Sequence, residues 1–406
     1  MISVREALDV VVREVSPLGA ERVGIVAAGG RALAEEVRSG RDVPGTANSA
    51  MDGYAVRHAD LTDLPARLRV VGIAAAGAVG GRVNAGEALK IMTGAPIPAG
   101  ADTVVRVEDT RADGDLVEIG VAPAAGANVR GAGEDVRSGD AILSRGRRVG
   151  PAEVGLLASI GRAFVLVVQR PRVAILSTGN ELVEADDTVS PGQVVNSNAY
   201  TLAAAVAEAG ALPVILPIAR DSLAETRAAF REAARHDAIL STGGVSVGDF
   251  DYVKAAMDEV GVRRLFWKVA QKPGKPLTFG MLEGRPYFGL PGNPVSSLVC
   301  FELYARPALR KMAGFEAIHL PTAAVTLGED VKKAPGLTEF IRCRIERRDG
   351  RLVATSTGSQ SSGVLRSMSQ GHALVIGAAE VSRLRAGSGA RAILLDPQAG
   401  ATEPPF

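Results

Sequence analysis

RVAILSTGNEL (172–182) and DAILSTGGVSVGDFDY (237–252) decide how this 406-residue chain is read. Each opens with a short, continuous aliphatic run and closes on hydroxyl residues and glycine. Such runs suit strands buried on both faces, and strands alternating with helices suit a mostly parallel sheet. The helical patterns are present. VNSNAYTLAAAVAEAG (195–210) reads as a capped helix closed by Gly210, and PVILPIA (213–219) as a second strand. In DSLAETRAAFREAARH (221–236), Ser222 and Glu225 have capping-box spacing. DYVKAAMDEVG (251–261) is a further helix, while RRLFWKVAQ (263–271) and PYFGL (286–290) are further strands. NPVSSLVCFELYARPALRKMAG (293–314) reads as a long helix with Asn293 as cap and Pro294 at the first helical position. The segment of about 171–315 is therefore an α/β core.

Upstream the texture changes. MISVREALDVVVREV (1–15) is an amphipathic helix with Ser3 and Glu6 in capping-box spacing, and a second helical pattern lies near Gly29–Val37. Between 42 and 149, LRVVGI (68–73), ALKI (88–91), TVVRVE (103–108), LVEIG (116–120) and AILSRG (141–146) alternate with Gly, Pro and Asp, which predicts a small all-β region. PAEVGLLASI (151–160) returns to helix with Pro151 in its first turn. Downstream of the core, AAVTLG (323–328), EFIRCRIERRDGRLVATST (339–357), HALVIG (372–377) and RAILL (391–395) are again strands, with Asp349–Gly350 as a hairpin turn.

A hydrophobic content of 47% excludes a disordered chain, and 4% aromatics with one Trp require an aliphatic core. Lys+Arg 46 against Asp+Glu 45 leaves a net charge of +1, which argues against a nucleic-acid binder but not against one anionic pocket. Cys300 and Cys343 fit no disulfide framework or zinc ribbon and are expected as buried thiols. With no leader pattern and no long uncharged apolar stretch, a cytoplasmic chain without membrane contact is expected. The lysines are uneven: of eight, four fall between Lys254 and Lys275.

In an open α/β sheet, ligands gather beyond the carboxyl ends of the strands. Those ends carry Ser177, Thr178, Gly179 and Glu181; then Ser241, Thr242, Gly243, Gly244, Ser246, Gly248, Asp249 and Asp251; then Gly289, Gly292, Asn293, Ser296 and Ser297. Glycines admit close backbone approach, hydroxyls bond phosphate oxygens, and following helices offer free N–H groups. Turn-making explains any one of these loops, but three at one sheet edge suggest an anion site. Neither a P-loop nor a dinucleotide fingerprint is present. Of Asp249 and Asp251, one is expected to cap the helix and the other to reach a ligand or Mg²⁺. FWKVAQKPGKPLTFG (266–280) pins Lys268, Lys272 and Lys275 with two prolines, giving ammonium groups a shaped loop from which to hold an oxyanion. Asp52 sits within the apolar run AMDGYAV (50–56), Thr93 in a Pro-marked turn, and Asp135 beside Arg130 and several glycines. Arg342 and the STGSQSSG stretch (356–363), with Ser362, could hold a tetrahedral oxyanion.

SAMDGYAV (49–56), KIMTGAPIPAGADTVVRVE (90–108), GEDV (133–136), AILSTGNEL (174–182), ILSTGGVSVGDFDYVK (239–254), KPGKPLTFG (272–280) and GLPGNPVSS (289–297) together resemble the molybdopterin molybdenumtransferase family, the bacterial counterparts of the gephyrin E domain. The resemblance runs in order through nearly the whole chain. It implies an elongated α/β and β multidomain fold: a mostly parallel pterin-binding core (1–20 with 170–318), a linker and dimerisation region (21–41 with 140–169), a small inserted β domain (42–139) and a C-terminal β-barrel-like domain (319–406). It implies insertion of molybdate into adenylylated molybdopterin, with Mg²⁺ as cofactor, giving molybdenum cofactor and AMP. It also implies a homodimer whose active site crosses subunits, and transient contacts with the pterin adenylyltransferase and apo-molybdoenzymes.

Residue by residue, the resemblance makes Asp52, Glu181, Asp251, Lys268 and Lys272 catalytic. Thr93, Asp135, Ser177, Thr178, Asp221, Gly243, Gly244, Ser246, Lys275, Pro291, Pro294, Ser296, Arg342 and Ser362 become substrate-binding, and Asp221 and Asp251 the metal carboxylates. Asn180 stands where related sequences often carry Asp, so Glu181 is the firmer of the two. The alternatives are a pterin adenylyltransferase, whose single domain resembles 171–315, and a non-catalytic dimeric scaffold. The flanking β regions favour insertion over the first, and the lysines and carboxylates favour an enzyme over the second.

Overall fold

The strand Arg172–Ser177 lies inside a six-stranded sheet of a computed structural model that describes residues 1–77, 81–243 and 252–395. Across the sheet the order is Leu212–Ile215, Arg172–Ser177, Ala238–Thr242, Arg285–Leu290, Thr278–Leu282 and Arg263–Trp267. The first four run parallel, and Thr278–Leu282 runs antiparallel to both its neighbours. Side chains alternate between two buried faces, as the period of a strand requires. Val173, Ile175, Leu240 and Phe288 face Leu202, Val206, Phe301 and the N-terminal helix through Ala7 and Val11. Ala174, Leu176, Ile239 and Tyr287 face Phe230, Ala256 and Met257. Covering on both sides is why these runs contain no polar alternation.

The antiparallel strand Thr278–Leu282 is absent from the sequence reading, where PLTFG belonged to the lysine loop. Its signal was the two-residue turn Glu283–Gly284, both at positive φ (49° and 79°), which reverses the chain into Arg285–Leu290. The capping box at Ser3 and Glu6 forms as expected on Val4–Glu14. At Ser222 only half does: its side chain accepts from Glu225 N, while the Glu225 carboxylate accepts from Arg220 N instead.

The expected long helix is one continuous run of three parts: α-helix Pro294–Cys300, a π turn over Phe301–Ala305, and α-helix Arg306–Met312. Pro307 accounts for the break, since it lacks an N–H and its ring crowds the carbonyl four residues back. The widened turn buries Glu302, and burial pushes its carboxyl up to about 7 against the pull of Arg306. An acid with a raised folded-state pKa destabilises the fold progressively as pH rises from the unfolded value to the folded one. Glu302→Gln is therefore expected to gain melting temperature relative to the parent between about pH 5 and pH 8, Arg306 keeping Glu208 at 3.2 Å as its partner. Equal pH slopes for parent and variant would contradict this.

The region 20–43 contains no helix near Gly29–Val37, which corrects the sequence reading. Gly30 takes φ 79°, and the chain instead pairs laterally, Ala32 with Arg148 and Leu33 with Val167. Next to it, Ala20–Gly24 forms an antiparallel ribbon with Phe164–Val168. Leu33, Val37, Leu143, Leu157, Val165 and Val167 close a separate small core there. The inserted β region is a six-stranded sheet in the order Thr103–Arg106, Gly53–Val56, Glu87–Ile91, Ala66–Ala74, Leu116–Ile119, Thr110–Asp113.

In the C-terminal region five strands close into a barrel: Thr338–Arg348, Arg351–Ser356, Thr322–Leu327, Gly389–Leu394 and Ala373–Gly377, the last pairing back to the first. Asp349 and Gly350 form the expected hairpin turn, both at positive φ. Val325, Leu327, Ile341, Cys343, Val375 and Ala392 fill the interior. On the outside, Phe340, Met368 and Leu374 pack against Val295 and Val299 of the helix Pro294–Cys300. The lysine loop joins the barrel too, because Gln271–Lys272 pairs in parallel with Thr338–Glu339. Both thiols are buried and free. No helix among the described residues is long and apolar enough to cross a membrane.

Candidate active site

At the carboxyl edge of the sheet, Thr178, Glu181, Asn196, Asn198, Gly243 and Pro294 line a pocket of about 240 Å³. The loop that carries Glu181 is held from the neighbouring strand. Asn180 N donates to Asp221 Oδ2 (3.1 Å), Asp221 N donates to Asn180 Oδ1 (3.0 Å), and Arg220 Nη1 donates to Leu182 O (2.9 Å). Asp221 thus ties two loops together from an exposed position. Gly179 takes φ 150°, a backbone conformation that favours glycine, whereas a Cβ on it would meet only the movable carboxylate of exposed Glu181. Ser177 lies beneath the pocket rather than in it, its buried hydroxyl committed to Asn196 Oδ1 at 2.9 Å. Gly244, Ser246 and Asp251 lie outside the described residues.

A second pocket of about 590 Å³ opens beside the first and shares Asn293 with it; Lys272, Lys275, Pro291, Ser296, Ser361 and Ser362 stand in its wall. The shape of the lysine loop is set from below. Buried Gln271 donates to Pro273 O (2.9 Å) and accepts from the Tyr304 hydroxyl, and Cys300 Sγ lies 3.5 Å from Gly274 O. The Lys272–Pro273 bond is cis, and Gly274 takes φ 89°. Burial pushes the Cys300 thiol far above the usual range, so it acts here as packing and not as a nucleophile. Lys268 lies a turn away with positive φ, its ammonium 4.7 Å from the centre of the Trp267 ring, which Lys254 and Arg264 also approach.

The barrel supplies the far wall. Ser362 O accepts from Val295 N at the start of the helix Pro294–Cys300 (3.1 Å). Arg342, expected as an oxyanion ligand, is only 1% exposed. Its Nε donates to Ser367 Oγ (2.8 Å) and its Nη2 to Ser361 O (3.1 Å) and Ser359 O (3.2 Å), which ties it to the loop that lines the pocket. Desolvation holds its pKa below the ordinary value, with Glu339 pulling the other way. Arg342 shapes the wall and is not among the residues that line the pocket.

Three family models match this chain in succession: MoeA N-terminal region (domain I and II) over 2–161, probable molybdopterin binding domain over 174–311, and MoeA C-terminal region (domain IV) over 324–395. A Bacillus subtilis protein named molybdopterin molybdenumtransferase is 37% identical over 356 residues, 85% of this chain and 83% of that relative. The chain belongs to the molybdopterin molybdenumtransferase family. A Nostoc relative of the same name is 37% identical over 93% of this chain and 90% of its own. The crystal structure of a molybdopterin biosynthesis moeA protein from Pyrococcus horikoshii OT3 superposes with a TM-score of 0.85 at 28% identity, covering 97% of this chain and all of that one.

In this member of the molybdenumtransferase family, the remaining expected residues lie in the inserted β region, on turns outside its six-stranded sheet. Asp52 and Thr93, distant in sequence, meet: Asp52 Oδ1 accepts from Thr93 N (2.6 Å) and Thr93 Oγ1 (2.7 Å). Those bonds, the backbone one foremost, hold the exposed Asp52 carboxyl below its ordinary range. A lowered carboxylate pKa adds stability that is present above the unfolded value and is lost as pH falls through the folded one. Thr93→Val, which keeps the N–H but loses the hydroxyl, is expected to move the Asp52 titration upward towards 3.8 in an NMR carboxyl titration. An unmoved titration would show that the hydroxyl contributes nothing. Asp135 is exposed, its N–H bonded to Val43 O (3.0 Å). None of the three lines either pocket.

The sequence reading missed several residues that build the molybdenumtransferase cleft. Asn198 Nδ2 donates to Thr242 Oγ1 and Gly292 O, both at 2.8 Å, which fixes the amide. Asn198 Oδ1 and Asn196 Nδ2 are buried and unpartnered among the described residues. Buried amide atoms without partners are uncommon and mark a place where a ligand or water completes the set. Asn-Ser-Asn at a helix start was read as capping, yet the Asn196 side chain caps nothing. Gln271 and Glu339 carried no signal of their own, since their roles follow from contacts across the chain.

Proposed function

We propose that this protein inserts molybdate into adenylylated molybdopterin in a Mg²⁺-dependent reaction that releases AMP and forms molybdenum cofactor. The two-part cleft carries this reading. A cationic lobe with Lys272 and Lys275 meets, at Asn293, a lobe edged by Thr178, Asn196, Asn198 and Gly243. A pterin that bears phosphate and sulfur anions needs such a division, with hydrogen-bonding walls for the heterocycle and cations for the anionic end. The lysines would bind molybdate beside an already anionic substrate and stand where charge develops as the phosphoanhydride opens.

Among the described residues no group of three or more His, Cys, Asp or Glu is arranged to hold a metal. Mg²⁺ does not need one, since it takes one or two carboxylates and completes its shell with water and phosphate oxygens. Of the two carboxylates expected to hold it, Asp251 lies outside the described residues, and Asp221 is exposed on a loop bonded to the loop of Glu181, which lines the first pocket; Asp221 and Glu181 are the described residues that would hold the ion. Bound there, the ion would supply neutralisation of the phosphate charge. The reading includes a homodimer in which Asp52, Thr93 and Asp135 complete the cleft of the partner subunit.

The test incubates purified protein with adenylylated molybdopterin, molybdate and Mg²⁺ and measures AMP and active cofactor. Both are expected to appear together and to stop when a chelator removes the metal. No AMP from substrate verified as intact would defeat the assignment. Sedimentation that shows only monomer would defeat the shared cleft.

A further inference from the structure

The buried carboxylate of Glu339 is the one charged group of the barrel that reaches a lysine of the cleft among the described residues. Its Oε1 lies 2.9 Å from Lys272 Nζ, and the two side chains are unequally placed, 7% exposed for Glu339 against 53% for Lys272. The pairing is built into the backbone, because Glu339 stands opposite Lys272 in the parallel register that joins the lysine loop to the barrel. A carboxylate this buried needs a partner. Arg342, three residues on, gives its Nε and Nη2 to Ser367, Ser359 and Ser361, and no hydrogen bond or ion pair joins it to Glu339 among the described residues, although the two charges feel each other. Glu339 is anchored on a closed barrel, whereas Lys272 ends a flexible four-carbon stem that would otherwise wander over many rotamers.

From this asymmetry we infer that Glu339 is a positioning residue, which sets where the Lys272 ammonium stands in the cleft and is the counter-charge an incoming oxyanion competes with. The inference rests on the reading of Lys272 as a cation of the active cleft. The bland reading is an ion pair that only cements the barrel to the core. The two differ in what the change does to folded enzyme. If Glu339 sets the place of the Lys272 ammonium, kcat per folded molecule falls and the loss vanishes once Lys272 is gone; if the pair only cements the barrel, melting temperature falls while kcat of the folded enzyme does not.

The experiment is a double-mutant cycle on full-length protein, with kcat and KM for molybdate read from AMP release. Glu339→Gln is expected to lower kcat about tenfold while KM for molybdate falls or stays level, because a released ammonium is misplaced but no longer neutralised. In a Lys272→Gln background the same change is expected to alter kcat by less than twofold. Glu339→Asp, which keeps the charge with a shorter reach, should recover part of the loss, and it carries the test if Glu339→Gln does not fold. A second readout needs no turnover: brief acylation of the folded protein, followed by mass spectrometry, should label Lys272 severalfold faster in Glu339→Gln than in the parent. A folded Glu339→Gln protein with a lower melting temperature but unchanged kcat, an equal kcat loss in both backgrounds, or unchanged labelling of Lys272 overturns the inference. Absence of AMP release by the parent would overturn the proposed function instead, and the labelling comparison would still decide the role of Glu339.

Discussion

Replacing Lys272 by Ala is expected to lower kcat for AMP release by about 10²–10³-fold, on the order of 2–4 kcal/mol of transition-state stabilisation by analogy with other oxyanion sites. The ammonium stands in the wall of the cationic lobe, and no arginine lines that lobe to replace it among the described residues. The change should leave the loop in place, since Gln271, Gly274 and Tyr304 hold it from beneath. Lys272→Ala does leave Glu339 buried without its cation, so Lys272→Gln is the companion variant; it keeps a donor towards Glu339 and removes only the charge. Both should lose activity to a similar extent. A folded Lys272→Gln protein with near-normal AMP release and cofactor yield would show that the positive charge is not used.

Gly274→Ala should be the most damaging single methyl in the cleft. A Cβ there would lie 2.3 Å from Cys300 Sγ and 2.8 Å from Gln271 Nε2, and the residue sits at φ 89°. The left-handed conformation costs a non-glycine residue about 1–2 kcal/mol, and overpacking a close-fitted interior costs about 1–3 more. The clash falls on the Gln271–Tyr304–Cys300 cluster that shapes the lysine loop, so activity should fall with stability. Gly284→Ala is the control. It too has positive φ (79°), but its Cβ would meet nothing within 4 Å, so only the conformational part applies. Calorimetry should show a drop in melting temperature for Gly274→Ala clearly larger than for Gly284→Ala. Equal drops would mean that the loop yields and that Gly274 is there for its φ alone.

Much of the architecture was readable because it depends on patterns a few residues long. Continuous aliphatic runs such as AILS at 174–177 could only be strands covered on both faces, and they lie in the middle of the sheet. Asp349–Gly350 specified its hairpin through the backbone preferences of the two residues themselves. The failures are equally specific. Gly29–Val37 carries helical spacing, but Gly30 and lateral pairing with Val167 and Arg148 draw it into an irregular strand-like path. Thr278–Leu282 was hidden behind Pro273, Gly274 and Pro276, which precede it. Local propensity gives way in both places to partners far along the chain.

The same division runs through the site. By itself the sequence determined which chemistry is present: three hydroxyl- and glycine-rich loops at the ends of strands, and lysines concentrated in KPGK where the rest of the chain prefers arginine. Those are properties of residue type and spacing, and folding cannot change them. Only the tertiary structure decided which of these groups face a ligand. It turned Arg342 inward, set Ser177 beneath the pocket, joined Asp52 to Thr93, and brought Glu339 from the barrel to within 2.9 Å of Lys272. The physical reason is burial. A polar side chain taken out of water must find partners, and where those partners sit is set by packing between segments that the linear order keeps apart.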